Sequence, residues 1–157
     1  MHPFFSSPAF HPRIAAALLL AALFVPAHVH AASEFFSIAD ESAIFYDAYS
    51  LKATKLYVAS RYLPVEAVVN IEGWVKVRDS GGSLAWVEKK HLSEARYVIV
   101  TAALAEVRQQ AGEGAPLLFR AEKNVVMEWL EPASAGWVKV RHPDGTGYVK
   151  INQVWGA

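Results

Sequence analysis

The sequence predicts an all-β protein: two tandem small β-barrels behind an N-terminal signal peptide. Three observations predict it. Trp74-Val75-Lys76-Val77-Arg78 returns in the same order as Trp137-Val138-Lys139-Val140-Arg141, each copy preceded by a glycine, Gly73 or Gly136. Each copy is followed by a polar turn and then an aromatic-valine pair, Trp86-Val87 or Tyr148-Val149. Such an identity with matching flanks in a 157-residue chain marks an internal duplication. Apolar runs are short and turn residues recur about every 8–12 residues, the spacing of small barrels or sandwiches. After Ala32 no segment carries sustained helical periodicity with caps.

The first element is the leader. Arg13 precedes an unbroken apolar run from Ile14 to Val25; Pro26 breaks it, and mostly small residues follow through Ala32. A cation, a short apolar core and a small-residue cleavage region make a secretory signal. Twelve helical residues rise about 18 Å, short of a bilayer core of about 30 Å, which argues against the rival reading of an uncleaved anchor. Val29-His30-Ala31 is the best cleavage site, so residues 1–31 are expected to be removed, leaving no membrane span and a periplasmic or secreted protein. The two repeats then occupy residues 32–95 and 96–157.

In repeat 1, Phe35, Phe36 and Ile38 lie in a lead-in and Ala43–Tyr46 reads as a short strand. A small, polar loop, Asp47–Thr54, leads to the strand Lys55–Ala59. Pro64 fits the first position of the next strand, where no ladder donor is needed. In Trp74–Arg78 side chains alternate across the sheet, so Val75 and Val77 should face the core while Trp74, Lys76 and Arg78 share a wet face. Asp79–Ser83 makes a hairpin loop, Leu84–Val87 returns, and Glu88–Leu92 suits a single 3₁₀ turn. Repeat 2 answers element by element: Arg96–Thr101, Ala105–Arg108, the loop Gln109–Pro116, Leu117–Arg120, Val125–Leu130, a loop Glu131–Gly136 containing Pro132, the pentapeptide, Tyr148-Val149 and a terminal turn. A domain of about 60 residues buries only about 60% of its unfolded surface, so two joined without a spacer should pack together.

Composition narrows function. Lysine plus arginine equals aspartate plus glutamate, which removes the electrostatic case for nucleic acid. Without cysteine there is no disulfide, thiol nucleophile or cysteine-bound zinc. Four of the six histidines fall in the leader, and the other two, His91 and His142, read as exposed polar residues. Glu66 and Glu128 fall at matching places and read as solvent-facing strand positions rather than a catalytic pair. No phosphate-cradling glycine motif or calcium loop is present, so no cofactor, metal or enzymatic activity is expected.

Gly73–Arg78 with Ala85-Trp86-Val87, and Gly136–Arg141 with Gly147-Tyr148-Val149, resemble the bacterial SH3-like (SH3b) domain. The tandem looks like a family of small exported proteobacterial proteins carrying such domains. Repeat 2 fits better: Ala105-Glu106-Val107-Arg108 is similar to the family's early signature, whereas repeat 1 has Ala43-Ile44-Phe45-Tyr46 there, and Ala85 where the family usually has glycine. The resemblance implies a five- to six-stranded barrel per repeat and binding of peptidoglycan peptide or glycan, or of another envelope protein.

Tryptophan and tyrosine offer a rigid apolar face with a polar tip, and recur at recognition surfaces; they also fill small cores. The ligand-binding candidates are therefore Tyr46, Tyr49, Trp74, Trp86, Trp137 and Tyr148, with Arg78 and Arg141 beside the pentapeptide tryptophans. The reading is a non-catalytic binding module, with an adaptor for an envelope protein as the alternative.

Overall fold

The computed structural model describes residues 33–157; the leader, its cleavage site and the question of an anchor lie outside the described residues. No helix among the described residues is long and apolar enough to cross a membrane.

Repeat 1 contains β1 (Glu34–Ile38), β2 (Ser42–Tyr46), β3 (Lys55–Ser60), β4 (Pro64–Ile71), β5 (Trp74–Arg78), β6 (Leu84–Glu88) and β7 (Leu92–Ser93). Repeat 2 contains β8 (Tyr97–Val100), β9 (Leu104–Arg108), β10 (Leu117–Glu122), β11 (Val126–Ser134), β12 (Trp137–His142), β13 (Gly145–Lys150) and β14 (Val154–Trp155). The sheet orders are β3-β2-β6-β5-β4-β1-β7 and β10-β9-β13-β12-β11-β8-β14, the same order twice. The expected 3₁₀ turns are Lys89–His91 and Ile151–Gln153, each just before the last short strand.

The duplication extends to irregularities. The β2–β3 and β9–β10 ladders each slip near their loop ends, and the β4–β5 and β11–β12 ladders slip at equivalent places. Such bulges bend a strand and sharpen its twist, which is what a small, strongly curled sheet requires. Gly73 and Gly136 both have positive φ in the turn before the pentapeptide, a conformation open to glycine at little cost. The strand β11 runs through Pro132, where the sequence suggested a loop; the slipping ladder there makes few demands on the missing N–H.

Each barrel has its own core. Val75, Val77, Val138 and Val140 are buried, as the alternation required, with Ile38, Ala43, Phe45, Ala59, Val65, Ala85 and Val87 completing one core and Val98, Val100, Ala105, Val107, Ala121, Met127, Val149 and Val154 the other. Lys76 and Lys139 are half-buried, and Arg78 and Arg141 exposed.

The repeats meet directly. Just before the junction, and within repeat 1, the buried Ser37 hydroxyl donates to the Ala95 carbonyl at 2.7 Å. Phe35 meets Trp155 edge-on, and the Arg96 guanidinium lies over both Phe35 and Trp129 while donating to the Gly156 carbonyl at 2.8 Å. Tyr62 stacks on Tyr97 with ring centroids 4.5 Å apart. A Cβ on Gly156 would sit 2.8 Å from the Tyr97 carbonyl and 3.2 Å from Pro64, so this contact requires glycine.

Candidate ligand-binding face

The outward face of β5 and β6 is set by the same alternation that buries the valines. Trp74 lies opposite Glu88, Lys76 opposite Trp86 and Arg78 opposite Leu84. Tyr46, at the end of β2, pairs with Trp86 from the other side. The Tyr46 ring packs edge-on against Trp74 at 5.5 Å, and Tyr49 reaches in from the loop to meet Trp86 at 5.2 Å. That loop is braced by Asp47, whose carboxylate accepts from the Thr54 N–H at 2.9 Å. Lys76 Nζ lies 5.9 Å from the Trp86 ring. Repeat 1 thus offers an aromatic strip with one cation on it.

In repeat 2 the equivalent row is Arg108, Tyr148 and Lys139, with Trp137 opposite Lys150. Lys139 Nζ lies 5.9 Å from the Tyr148 ring and Lys150 Nζ 5.8 Å from Trp137. Each cation has an acid: Lys139 pairs with Glu131 at 2.7 Å, Lys150 with Glu113, and Arg108 with Glu106 while also donating to the Ala115 carbonyl. Hydrogen bonds from Arg108 and Arg120 hold the Glu106 carboxyl below its usual range, and the bond to Glu131 raises the Lys139 ammonium.

A small cleft opens beside this face in both barrels at the same place. In repeat 2 it is about 210 Å³ and is lined by Leu104, Glu106, Arg108, Glu113, Trp137 and Lys150, with Gln153 at its end. In repeat 1 it is about 190 Å³, lined by Ser42, Ile44, Tyr46, Glu88 and His91. The bacterial SH3 domain model matches residues 43–94 and again residues 101–156.

The chain belongs to the bacterial SH3 domain family.

No curated protein matches it. Among solved structures it is similar to NlpC1 from Trichomonas vaginalis (15% identity over 92% of this chain and 51% of that one, TM-score 0.38). It is also similar to an NlpC/P60 family protein from Bacillus cereus (16%, 77% and 55%, TM-score 0.35). The endolysin LysPBC5 CBD matches at 15% identity over 78% of this chain and 91% of that one, with TM-score 0.29. The chain spans about half the length of the two Trichomonas NlpC structures it matches.

In the first SH3 domain, the candidates Tyr46, Tyr49, Trp74 and Trp86 come together as one cluster. Tyr49 is 60% exposed and Tyr46 only 5%, so Tyr46 supports the strip from beneath. In the second domain Trp137, 9% exposed, floors the cleft, and Tyr148 lies half-buried on the face. Arg78 and Arg141 stand apart, each held by the matching glutamate of the neighbouring strand: Arg78 with Glu66 at 3.0 Å, Arg141 with Glu128 in a two-bond fork at 2.8 and 2.9 Å. The fork holds the Glu128 carboxyl below its usual range and the Arg141 guanidinium above.

The structure corrects two sequence expectations. Glu66 is largely covered, with a side chain 16% exposed, because Arg78 and the Ser33 hydroxyl lie over it. His91 and His142 are half-buried and paired rather than free: His91 sits between Asp40 and Glu88, and His142 Nδ1 lies 3.2 Å from Asp144. Among the described residues no cluster of His, Cys, Asp and Glu is placed to hold a metal. Sequence reasoning missed Arg108, Glu113 and Lys150. Their signal was available: Lys150 occupies the place of Glu88, a charge reversal at the mouth of the same cleft.

Proposed function

We propose that the protein is a non-catalytic, exported cell-wall-binding module acting in the periplasm, and that its two SH3 domains hold peptidoglycan through their β5–β6 and β12–β13 faces. The observation that carries the reading is the cleft of the second domain. Glu106, Glu113, Arg108 and Lys150 place both signs of charge around a tryptophan floor, which suits a short peptide bearing an ammonium and a carboxylate. The family resemblance to wall-binding domains and the leader at Ile14–Val25 support it. One such site binds weakly; two domains in fixed relation engage a polymer twice, and the gain comes from effective concentration.

Retention on purified sacculi tests this. The chain should be retained, and Lys150→Ala or the pair Tyr49→Ala/Trp86→Ala should each release much of it without unfolding. Added salt should weaken retention, since exposed charges are screened. Absence of retention, or retention unmoved by all these variants, would shift the reading to an adaptor for another envelope protein, tested by co-precipitation from envelope extract.

A further inference from the structure

The strand β3 ends its sheet: among the described residues it pairs with β2 alone. The Arg61 N–H donates to the Glu41 carbonyl at 3.2 Å, continuing that ladder by one rung. Antiparallel bonding alternates, so the N–H and C=O of Ala59 and Tyr57 point to β2 while those of Val58 point to the open edge. An open edge is a template for another strand, and proteins normally guard it with charge, proline or a bulge. Near its loop end β3 has the bulge. From Tyr57 to Ser60 it carries none of these guards, and Val58 is 63% exposed.

The second repeat provides the control. There β10 is the corresponding edge, and it places Arg120 where β3 has Val58 and Glu122 where β3 has Ser60. Arg120 is tied to Glu106 at 3.3 Å. Between Lys55 and Arg61 the edge of the first repeat is bare, where the second repeat carries Arg120 and Glu122.

The bare edge also faces a wall. A groove of about 400 Å³ is lined on one side by Tyr57, Val58, Ala59, Ser60, Arg61 and Leu63, and on the other by Ile99, Asn124 and Val126 of the second repeat; Arg61 is paired with Glu41 at 2.7 Å. That volume falls within the usual range for ligand sites. The Asp79–Gly81 turn closes one flank; its Asp79 carboxylate accepts from the Gly81 and Ser83 N–H groups at 2.9 Å and from the Tyr57 hydroxyl, so it is already engaged. The groove therefore presents backbone hydrogen-bonding groups beside aliphatic side chains, with its acid Asp79 and its cation Arg61 both already engaged.

We propose that this inter-repeat groove binds an extended, aliphatic-rich segment of a partner protein by strand addition to β3. Backbone bonds to the Val58 edge supply the affinity, and alternate side chains of the guest pack on Val58, Ile99 and Val126. The site exists only where both repeats are present, and it is separate from the wall-binding faces described above.

The test is an amide-resolved NMR titration of the full chain with a synthetic capped hexapeptide of alternating threonine and valine. Saturable shifts are expected at Tyr57–Ser60, Ile99 and Val126. The same peptide with alternate N-methylated amides should not bind, because donors to the edge are gone. Val58→Arg copies the residue the second repeat already tolerates at this place, so the fold should survive, and peptide affinity should fall on the order of tenfold or more. Retention on sacculi should be unchanged in that variant, which separates this groove from the wall-binding faces. Absence of shifts along β3, or full binding by Val58→Arg, overturns the proposal. So does concentration-dependent dimerisation abolished by Val58→Arg, since the edge would then pair with a second copy of the chain.

Discussion

The two repeats fill one barrel plan with different side chains, and the differences fall in two places. Inside, Ala43, Ala59, Val75, Val77 and Val87 are matched by Ala105, Ala121, Val138, Val140 and Val149. The interior changes compensate: Phe45 becomes Val107, Ala85 becomes Gly147, and Val65 becomes Met127. At the rim nothing compensates. Ile44, Tyr46, Glu88 and His91 become Glu106, Arg108, Lys150 and Gln153, so an apolar and acidic cleft becomes one carrying both charges. Packing constrains the interior of a duplicated fold, because an unmatched volume costs stability. The rim has no such constraint, and it is there that the two domains diverge.

The largest effect that would break this comparison lies at position 45. Phe45 is fully buried, so Phe45→Ala should cost about 3–5 kcal/mol. Its counterpart Val107 is equally buried but smaller, and Val107→Ala should cost about 1–3 kcal/mol. Denaturant titration of both variants checks the order. Equal losses would mean that the cores are not the compensated pair described.

Next is the exchange of Ala85 and Gly147. A Cβ on Gly147 would fall 2.5 Å from the Arg108 carbonyl, 2.7 Å from Leu118 and 2.9 Å from Val107. The backbone carbonyl cannot step aside as a flexible side chain can, so Gly147→Ala should cost about 1–3 kcal/mol. The reverse change, Ala85→Gly, removes one buried methyl and loosens the strand, and should cost about 1 kcal/mol. Thermal melts that show Gly147→Ala as harmless would place β9 and β13 further apart than the structure does.

These positions also show how much was legible in the sequence. The pentapeptide identity carried the duplication, and period-two alternation placed all four valines inside. The aromatic cluster of repeat 1 was legible as composition. Its geometry, with Tyr46 beneath and Tyr49 on top, depends on β2 pairing with β6 across the barrel, a long-range register that local pattern does not encode. The charged cleft of repeat 2 was illegible for the same reason: Glu106, Glu113 and Lys150 come from three separate segments. The junction gave even less signal. Tyr62 adopts φ of 69°, a conformation costly for a bulky residue, where repeat 2 has the more tolerant Asn124 at 73°. Its stack on Tyr97 offers a reason for the tyrosine, and nothing in the sequence around it announces that stack.

A smaller effect concerns the outward lysines. Lys76 and Lys139 lie over the matching rings Trp86 and Tyr148, but among the described residues only Lys139 has an acid partner, Glu131. Exposed pairs of this kind contribute little to stability. Lys76→Ala and Lys139→Ala should each leave the denaturation midpoint nearly where it was, while sacculus retention falls. A large loss of stability in either would mean that these stems carry packing instead of recognition.

The smallest expected effect is the response to acid, and its sign follows from the ion pairs. Arg141 holds Glu128 below the usual carboxylate range, and Arg108 and Arg120 do the same for Glu106. A carboxyl whose folded pKa lies below its unfolded one stabilises the fold above the unfolded value, about 4.3 for glutamate, and that contribution is lost as pH falls through the folded value. In repeat 1 a hydrogen bond from Lys90 lowers Glu88 in the same sense. Repeat 2 therefore has two depressed carboxylates at these positions against one, and should lose slightly more stability between neutral pH and the region below about pH 4. All three pairs reach solvent, so screening by salt should shrink the difference further. Amide hydrogen exchange, read separately on β5 and β12 at neutral and acid pH, resolves the two barrels within one chain. Protection should fall more in β12, and Arg141→Ala should bring its fall closer to that of β5. A greater fall in β5 would mean that the forked Arg141–Glu128 pair, for all its geometry, does not distinguish the repeats energetically.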